Sequence, residues 1–331
     1  MVTPEPTQLT SATNRPALSV ILVIGGQRER EGRALQSLLA QSAIDRMEIL
    51  LYDLGPADCP PLPGSDHPRI RLTRQTPRDL LSAARAHGIR TANAPVICFM
   101  EEHCEMQPGS AAAFIRAHEG PWAAVGGDFI NGNPDSMRSN QAFRMNYGIY
   151  LRPQRGRGRT HFVPGQNSSF RRDVLLRYNE QLEMLLNADL VLQWQMLRDG
   201  YELFYEPAVK IAHRNENTFR SLAVGVFYWN WCFSHMRARV FGWSATRRIG
   251  WILLAPLMPW WRLAKMFTWM PRFGFSRFVT FLTDIPFIIA VSYCAAAGQV
   301  AGLLNKLEKG ARFFSHFEMN EPRRRREELA R

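Results

Sequence analysis

The chain reads as an α/β protein: a mostly parallel sheet comes first and apolar helices follow. Three observations predict this. "LSVILVI" (Leu18 to Ile24) is a continuous β-branched run, the pattern of a strand buried on both faces. A second such run, "MEILLYDLG", ends near Asp53, and a segment with Leu35, Leu38 and Leu39 at helical spacing separates the two. From about Phe219 onward the composition shifts to long apolar and aromatic stretches punctuated by Arg.

Each element follows in order. Strand, helix, strand is a βαβ unit, whose right-handed crossover makes its strands parallel. "GGQRER" turns the chain from the first strand into the first helix. "PRDLLSAARAHGIRTA" is the next helix and "APVICFM" the next strand. Farther on come a helix near "SAAAFIRAH", a strand near "WAAVGGDF" and a Gly/Arg-rich loop, "RPQRGRGRTHF". "VPGQNSSFRRDVLLRY" reads as a loop entering a helix, and "NADLVLQWQMLRDGYELFYEPAVKIAH" as helix, Gly200 turn and extended chain to His213. The expected organisation is a polar leader over 1–16, an α/β domain over 17–218, a helical region over 219–316 and a charged tail over 317–331.

With 331 residues, 46% apolar and 21% charged, the chain can bury a sizeable core and is not compositionally disordered. A net charge of +12 implies an anionic partner. Most of the nine Trp fall in the second half among Arg and apolar runs, which suits a membrane interface with anionic lipid better than a nucleic-acid groove. The five cysteines, Cys59, Cys98, Cys104, Cys232 and Cys294, are widely spaced without a CxxC and read as reduced thiols. The opening "MVTPEPTQLTSATNRPA" has neither a basic nor an apolar signal region, so the expected location is the cytoplasmic side of the cell membrane.

The stretch with the most chemistry is "FMEEHCEMQPG", where Glu101, Glu102 and His103 follow a buried strand. Ligands of open α/β sheets collect outside the carboxyl ends of strands, and Asp53 and Glu101 share that edge. Oxygen and imidazole side by side suit either a metal or a polar substrate.

These pieces, in this order, resemble the inverting family 2 glycosyltransferases, with their Rossmann-like nucleotide-diphospho-sugar transferase fold. "AARAHGIRTANAPVICFMEEH" is similar to the family's "ARNxGxxxAxGxxxxFLDxD", "GQNSSFRRDVL" to its acceptor-side loop, and "ADLVLQWQMLRDGYELFYEP…H" to its "EDxDLxxRLxxxGYxxxxxP…H". The resemblance implies a nucleotide-sugar donor, a glycan or lipid-linked acceptor such as an envelope polysaccharide, and a divalent cation, Mn²⁺ or Mg²⁺. It makes Asp189 the catalytic base and Asp53, Arg85, Glu101, Glu102 and His103 donor-binding, with Glu101, His103 and His213 as metal ligands. The sequence departs from the pattern where Asp-x-Asp becomes Glu101-Glu102-His103 and the Glu-Asp pair becomes Ala188-Asp189. Those departures leave a rival reading, a degenerate sugar-nucleotide-binding or scaffold protein. A sugar-phosphate nucleotidyltransferase is a weaker rival, because "GGQRER" is only a faint version of its loop.

In the helical region, "IPFIIAVSYCAAAGQVAGLL" has roughly the ~20 residues that span a bilayer core. Basic residues on both flanks and in the connection (Arg272, Arg277) mark no single cytoplasmic side, so the expectation is helices lying in the interface. An amphipathic oligomerisation pair is the alternative.

Overall fold

The computed structural model describes residues 15–74, 80–147, 156–270 and 274–320. Most of the expected leader, part of the Gly/Arg-rich loop, Arg272 and the tail from 321 lie outside them.

The first half alternates β1 (Leu18–Ile24), α1 (Arg28–Leu39), β2 (Met47–Asp53), β3 (Ile70–Arg74), α2 (Leu81–Thr91) and β4 (Val96–Glu101). There follow β5 (Cys104–Met106), α3 (Ser110–Ala117), β6 (Ala124–Asn131), α4 (Met137–Tyr147), β7 (Gly158–Thr160) and β8 (Ser169–Arg171). Then come α5 (Arg172–Leu176), α6 (Leu182–Leu185), α7 (Asp189–Arg198) and the long β9 (Leu203–His213). The sheet order is β3-β2-β1-β4-β8-β6-β9-β5, with β7 also pairing β9.

Strands β3, β2, β1 and β4 are mutually parallel, as the βαβ reading requires. Beyond β4 the sheet is mixed: β8 is antiparallel to both β4 and β6, while β9 is parallel to β6 and antiparallel to β5 and β7. Register places Ile24 beside Asp53 and Val23 beside Glu101, so the two carboxylates flank the end of β1. Strands β5, β7 and β8 have three residues each, too few to show a period in sequence.

The unbroken apolar runs have a simple cause. Ile21, Val23, Leu50, Tyr52, Ile97 and Phe99 face one core, and Val20, Leu22, Ile49, Leu51, Cys98 and Met100 face the other. Alternate residues point to opposite faces of a strand, so helices on both faces require apolar residues at every position.

The last third is helical: α8 (Phe219–Val240), α9 (Ala245–Leu254), α10 (Met258–Trp269), α11 (Phe275–Leu304) and α12 (Leu307–Asn320). Thr218 caps α8 and Ser244 caps α9, each accepting from a backbone N–H three residues on (3.1 and 3.2 Å). These helices are not a separate layer. Cys232, Phe233 and Met236 of α8 and Leu307, Ala311 and Phe314 of α12 belong to the core that also holds Ile21 and Phe99. Residues 317–320, expected in the tail, are the last turn of α12.

Helix α11 packs along α8 so closely that a Cβ on Gly298 or Gly302 falls 2.2 Å from the carbonyl oxygens of Phe227 or Trp231. Its segment Phe278–Leu304 is long and apolar enough to cross a membrane by length and composition. Yet Asp284 within it is buried, accepting from Gln141 (2.9 Å) and pairing with Arg144 (2.6 Å) of α4.

Candidate active site

Glu101 is the last residue of β4, and β5 begins three residues later. The β5–β9 pairing sets Cys104 beside His213, the last residue of β9. Three side chains converge as a result. The Nε2 atoms of His103 and His213 are 3.0 Å apart, and Glu101 Oε2 lies 3.4 Å from the first and 3.6 Å from the second. All three residues are buried, and Cys104 Sγ, 3.7 Å from the same oxygen, closes the group.

The outer hydrogen bonds fix which ring nitrogens carry protons. The Asn215 amide donates to Asn131 Oδ1 and to the His213 carbonyl, so its oxygen faces His213 Nδ1 (3.0 Å) and accepts from it. Glu102 Oε1 lies 3.4 Å from His103 Nδ1 and accepts there. Neutral rings held in this way present two Nε2 lone pairs to each other at 3.0 Å, which is repulsive unless a proton or a cation sits between them. Ligands about 2.1 Å from a cation and 90–110° apart are separated by about 3.0–3.4 Å. The cluster fits a divalent ion, with two imidazoles and one carboxylate on one side of it. The outer partners orient the rings as those of metal-binding histidines usually are. Burial pushes the Glu101 carboxyl up, but the positive charge that a shared proton gives the His103–His213 pair when no cation is bound holds it well below the usual range.

Asn167 clamps the same carboxylate, donating to Oε2 at 2.6 Å and accepting from the Glu101 N–H at 3.1 Å. Its loop is tied to α7 by Gln193, whose amide bonds both the N–H and the carbonyl of Val163 (2.8 and 2.9 Å). Asp189 opens α7, where the helix dipole favours a carboxylate. Gly165 packs directly on it: a Cβ there falls 2.0 Å from Asp189 Oδ2. A cavity of about 290 Å³ opens here, lined by Glu101, His213, Asp189, Asn167, Trp229 of α8 and Arg262 of α10, among others. Burial raises the Asp189 pKa to about 6; the Glu101 charge adds to the rise and Arg85 opposes it.

Arg85 is buried on α2 with its guanidinium 5.6 Å from the Phe99 ring centre. Burial lowers its pKa, against the pull of Glu101, Asp189, Glu102 and Glu318. Its Nε has no hydrogen-bond partner among the described residues.

The structure therefore brings Glu101, His103, His213, Asp189 and Arg85 together. Glu102 turns away from the cavity and pairs with the buried Arg30 at 2.7 Å, and Arg30 also donates to the Glu318 and Met319 carbonyls of α12. Asp53 stands apart at the end of β2, held by both oxygens to Arg28 (3.1 and 2.9 Å). Sequence reasoning missed Asn167, Asn215, Arg28, Arg30 and Arg262. The first lay in a quoted motif, "GQNSSF", and "HRN" after β9 was the only hint of the second.

Comparison with known proteins bears on the first half of the chain. Residues 19–178 match the family described as Glycosyl transferase family 2. The stretch takes in Asp53, Arg85 and Glu101–His103 and stops short of Asp189 and His213. No curated protein matches the chain. A solved structure described as "Crystal structure of GalNAc-T7 with UDP, GalNAc and Mn2+" is 12% identical over 69% of this chain, with a TM-score of 0.44. The match covers about half, 51%, of that protein's chain.

Proposed function

We propose that this protein is an inverting glycosyltransferase that moves a sugar from a nucleotide-diphosphate donor to an acceptor at the cytoplasmic face of a membrane. The observation that carries the reading is the placement of Asp189 in one cavity with Glu101 and His213, at the edge of a sheet whose strands β1 to β8 fall in the stretch that matches glycosyl transferase family 2.

Asp189, with its pKa raised to about 6, is ionised at neutral pH and basic enough to take a proton. It removes the proton of an acceptor hydroxyl as that oxygen bonds the anomeric carbon. The bond from that carbon to the diphosphate breaks on the opposite side, so the configuration inverts and the diphosphate leaves with the electron pair. Glu101, His103 and His213 would hold a divalent cation, which when bound supplies positive charge for the leaving diphosphate. Arg85 adds a fixed cation among the carboxylates, and Asn167 keeps Glu101 in place. Asp53, on the same edge, accepts from the nucleoside once Arg28 yields one of its oxygens.

Membrane association is supported by the surface of α9 and α10. Leu253 is 72% exposed, and Leu257, Trp260 and Trp261 are also open to solvent. Lys265 lies 4.0 Å above the half-exposed Trp261 ring, an aromatic and basic mixture suited to an anionic interface. Helix α11, held along α8 and tied to α4 through Asp284, favours lying on the membrane over crossing it.

The test is a thermal-shift panel of nucleotide sugars with and without Mn²⁺ on the full chain, followed by assay of nucleoside diphosphate release. At least one donor is expected to raise the melting temperature, because a ligand of the native state stabilises it. A panel without any shift, in either metal condition, contradicts the reading.

A further inference from the structure

The cavity beside Asp189 is electrically lopsided. Among the described residues, four carboxylates line it, those of Glu101, Asp189, Glu216 and Glu318, and one arginine, Arg262. Arg262 is half-buried, and its guanidinium donates to a backbone oxygen, that of Met145, at 3.3 Å. No carboxylate among the described residues pairs with it. Burial lowers its pKa. A guanidinium placed in this way has spare donors in a fork that matches phosphate.

Its surroundings narrow the partner. Phe129, Tyr147, Trp229 and Phe314 line the cavity, so the space that Arg262 shares is partly aromatic. Arg262 follows Trp260 and Trp261, both about half exposed at 52% and 47%, and Leu257 on the preceding turn is 59% exposed. One short helix thus carries a cation on the cavity wall and an open apolar surface outside it. A cavity of about 290 Å³ accommodates a head group and leaves a long apolar chain to run along that surface.

We propose that Arg262 is the acceptor-recognition residue and that the acceptor is a membrane-borne lipid whose phosphate carries a hydroxylated head group. Its phosphate rests on Arg262, its lipid chain on the exposed face of α10, and its reacting hydroxyl points toward Asp189. The inference rests on the glycosyltransferase reading above and names the acceptor class for the same cavity. The charge division explains the arrangement. An anion is repelled by Glu101, Asp189, Glu216 and Glu318 and is held where Arg262 meets the cavity.

The experiment uses the full chain and three probes: farnesyl phosphate, farnesol and glucose 1-phosphate, with binding read from tryptophan fluorescence, since Trp229 lines the cavity. Farnesyl phosphate is expected to bind the wild type more tightly than either other probe. Arg262→Gln should weaken it by about 10–100-fold, the effect of losing hydrogen bonds to a charged group, while leaving farnesol unchanged. Arg262→Lys keeps the charge without the fork and should fall between the two. It also serves as the reading if the Gln variant does not fold. Equal binding of farnesyl phosphate to wild type and both variants overturns the role of Arg262. Glucose 1-phosphate binding as tightly as farnesyl phosphate overturns the lipid. Nucleotide-sugar binding measured in parallel keeps the two readings apart. A wild type that binds farnesyl phosphate but no donor fails the glycosyltransferase reading, whereas donor binding without farnesyl phosphate binding fails this one.

Discussion

Asp53 and Glu101 flank the end of the same strand, yet their surroundings differ in kind. Asp53 is neutralised by an arginine: Arg28 engages both of its oxygens, and Arg74 stands 3.9 Å away. Glu101 faces no arginine within ion-pair distance among the described residues and instead sees two imidazoles and an asparagine amide. An arginine supplies a permanent charge and leaves no room for an ion. Two neutral imidazoles supply lone pairs and create a place for one. Under the proposed function, one strand end takes the nucleoside without a metal and the other takes the diphosphate with a cation.

The largest effect should come from removing what both ends share. Helix α12 supplies the carbonyls that hold Arg30 beside β1 and the Phe314 and Glu318 walls of the cavity, and with α8 it completes a core. A chain ending before Phe219 exposes that core and is expected to be insoluble or unfolded by circular dichroism. A soluble, cooperatively melting 1–218 fragment would show that the two ends stand without the helices. Next is Asp189→Asn, expected to lower turnover by about 10²–10⁴-fold with donor affinity retained, the usual cost of losing a general base. Equal turnover would remove Asp189 from the mechanism.

Asn215→Ala sharpens the contrast from the imidazole side. It leaves all three ligands in place but frees the His213 ring, so Mn²⁺ affinity should fall by about 10–100-fold. Asp53→Asn is its counterpart, with donor affinity down by about tenfold and Mn²⁺ affinity unchanged. Were Asp53→Asn to weaken Mn²⁺ as much as Asn215→Ala does, the two ends would be one site.

The smallest effect is in pH. Because the Asp189 pKa is raised to about 6, the base is lost as pH falls through that value, and the rate should drop on the acid side of about 6. The stability sign is opposite. The native state holds this proton more tightly than the unfolded chain, so the contribution of Asp189 to stability falls as pH rises from the ordinary aspartate range to about 6. Asp189→Asn should abolish both dependences, which a rate profile and a melting series read separately.

How much of this was legible in the sequence depended on whether the signal was local. The runs at β1, β2 and β4 announced themselves because both faces are buried, and the Gly200 turn did so through its left-handed backbone, φ +86°. The mixed half of the sheet was not readable, since β5, β7 and β8 are short and pair with strands far away in sequence. In the site, Glu101 and His103 were conspicuous as neighbours. The Asn167 clamp on Glu101, 66 residues away, and the Asn215 bond to His213 are products of folding. Arg262 was hidden for a similar reason: in sequence it is one more arginine in an aromatic stretch, and only the packing of α10 puts it in the cavity.

Everything proposed for the donor depends on Glu101, His103 and His213 forming a cation site that serves a diphosphate. Calorimetry with nucleoside diphosphates and Mn²⁺ on wild type and His213→Ala tests it most directly. A diphosphate is expected to bind wild type tightly only with Mn²⁺, and His213→Ala to lose the metal and the diphosphate together. Diphosphate binding that is equally tight in EDTA and in His213→Ala would contradict it.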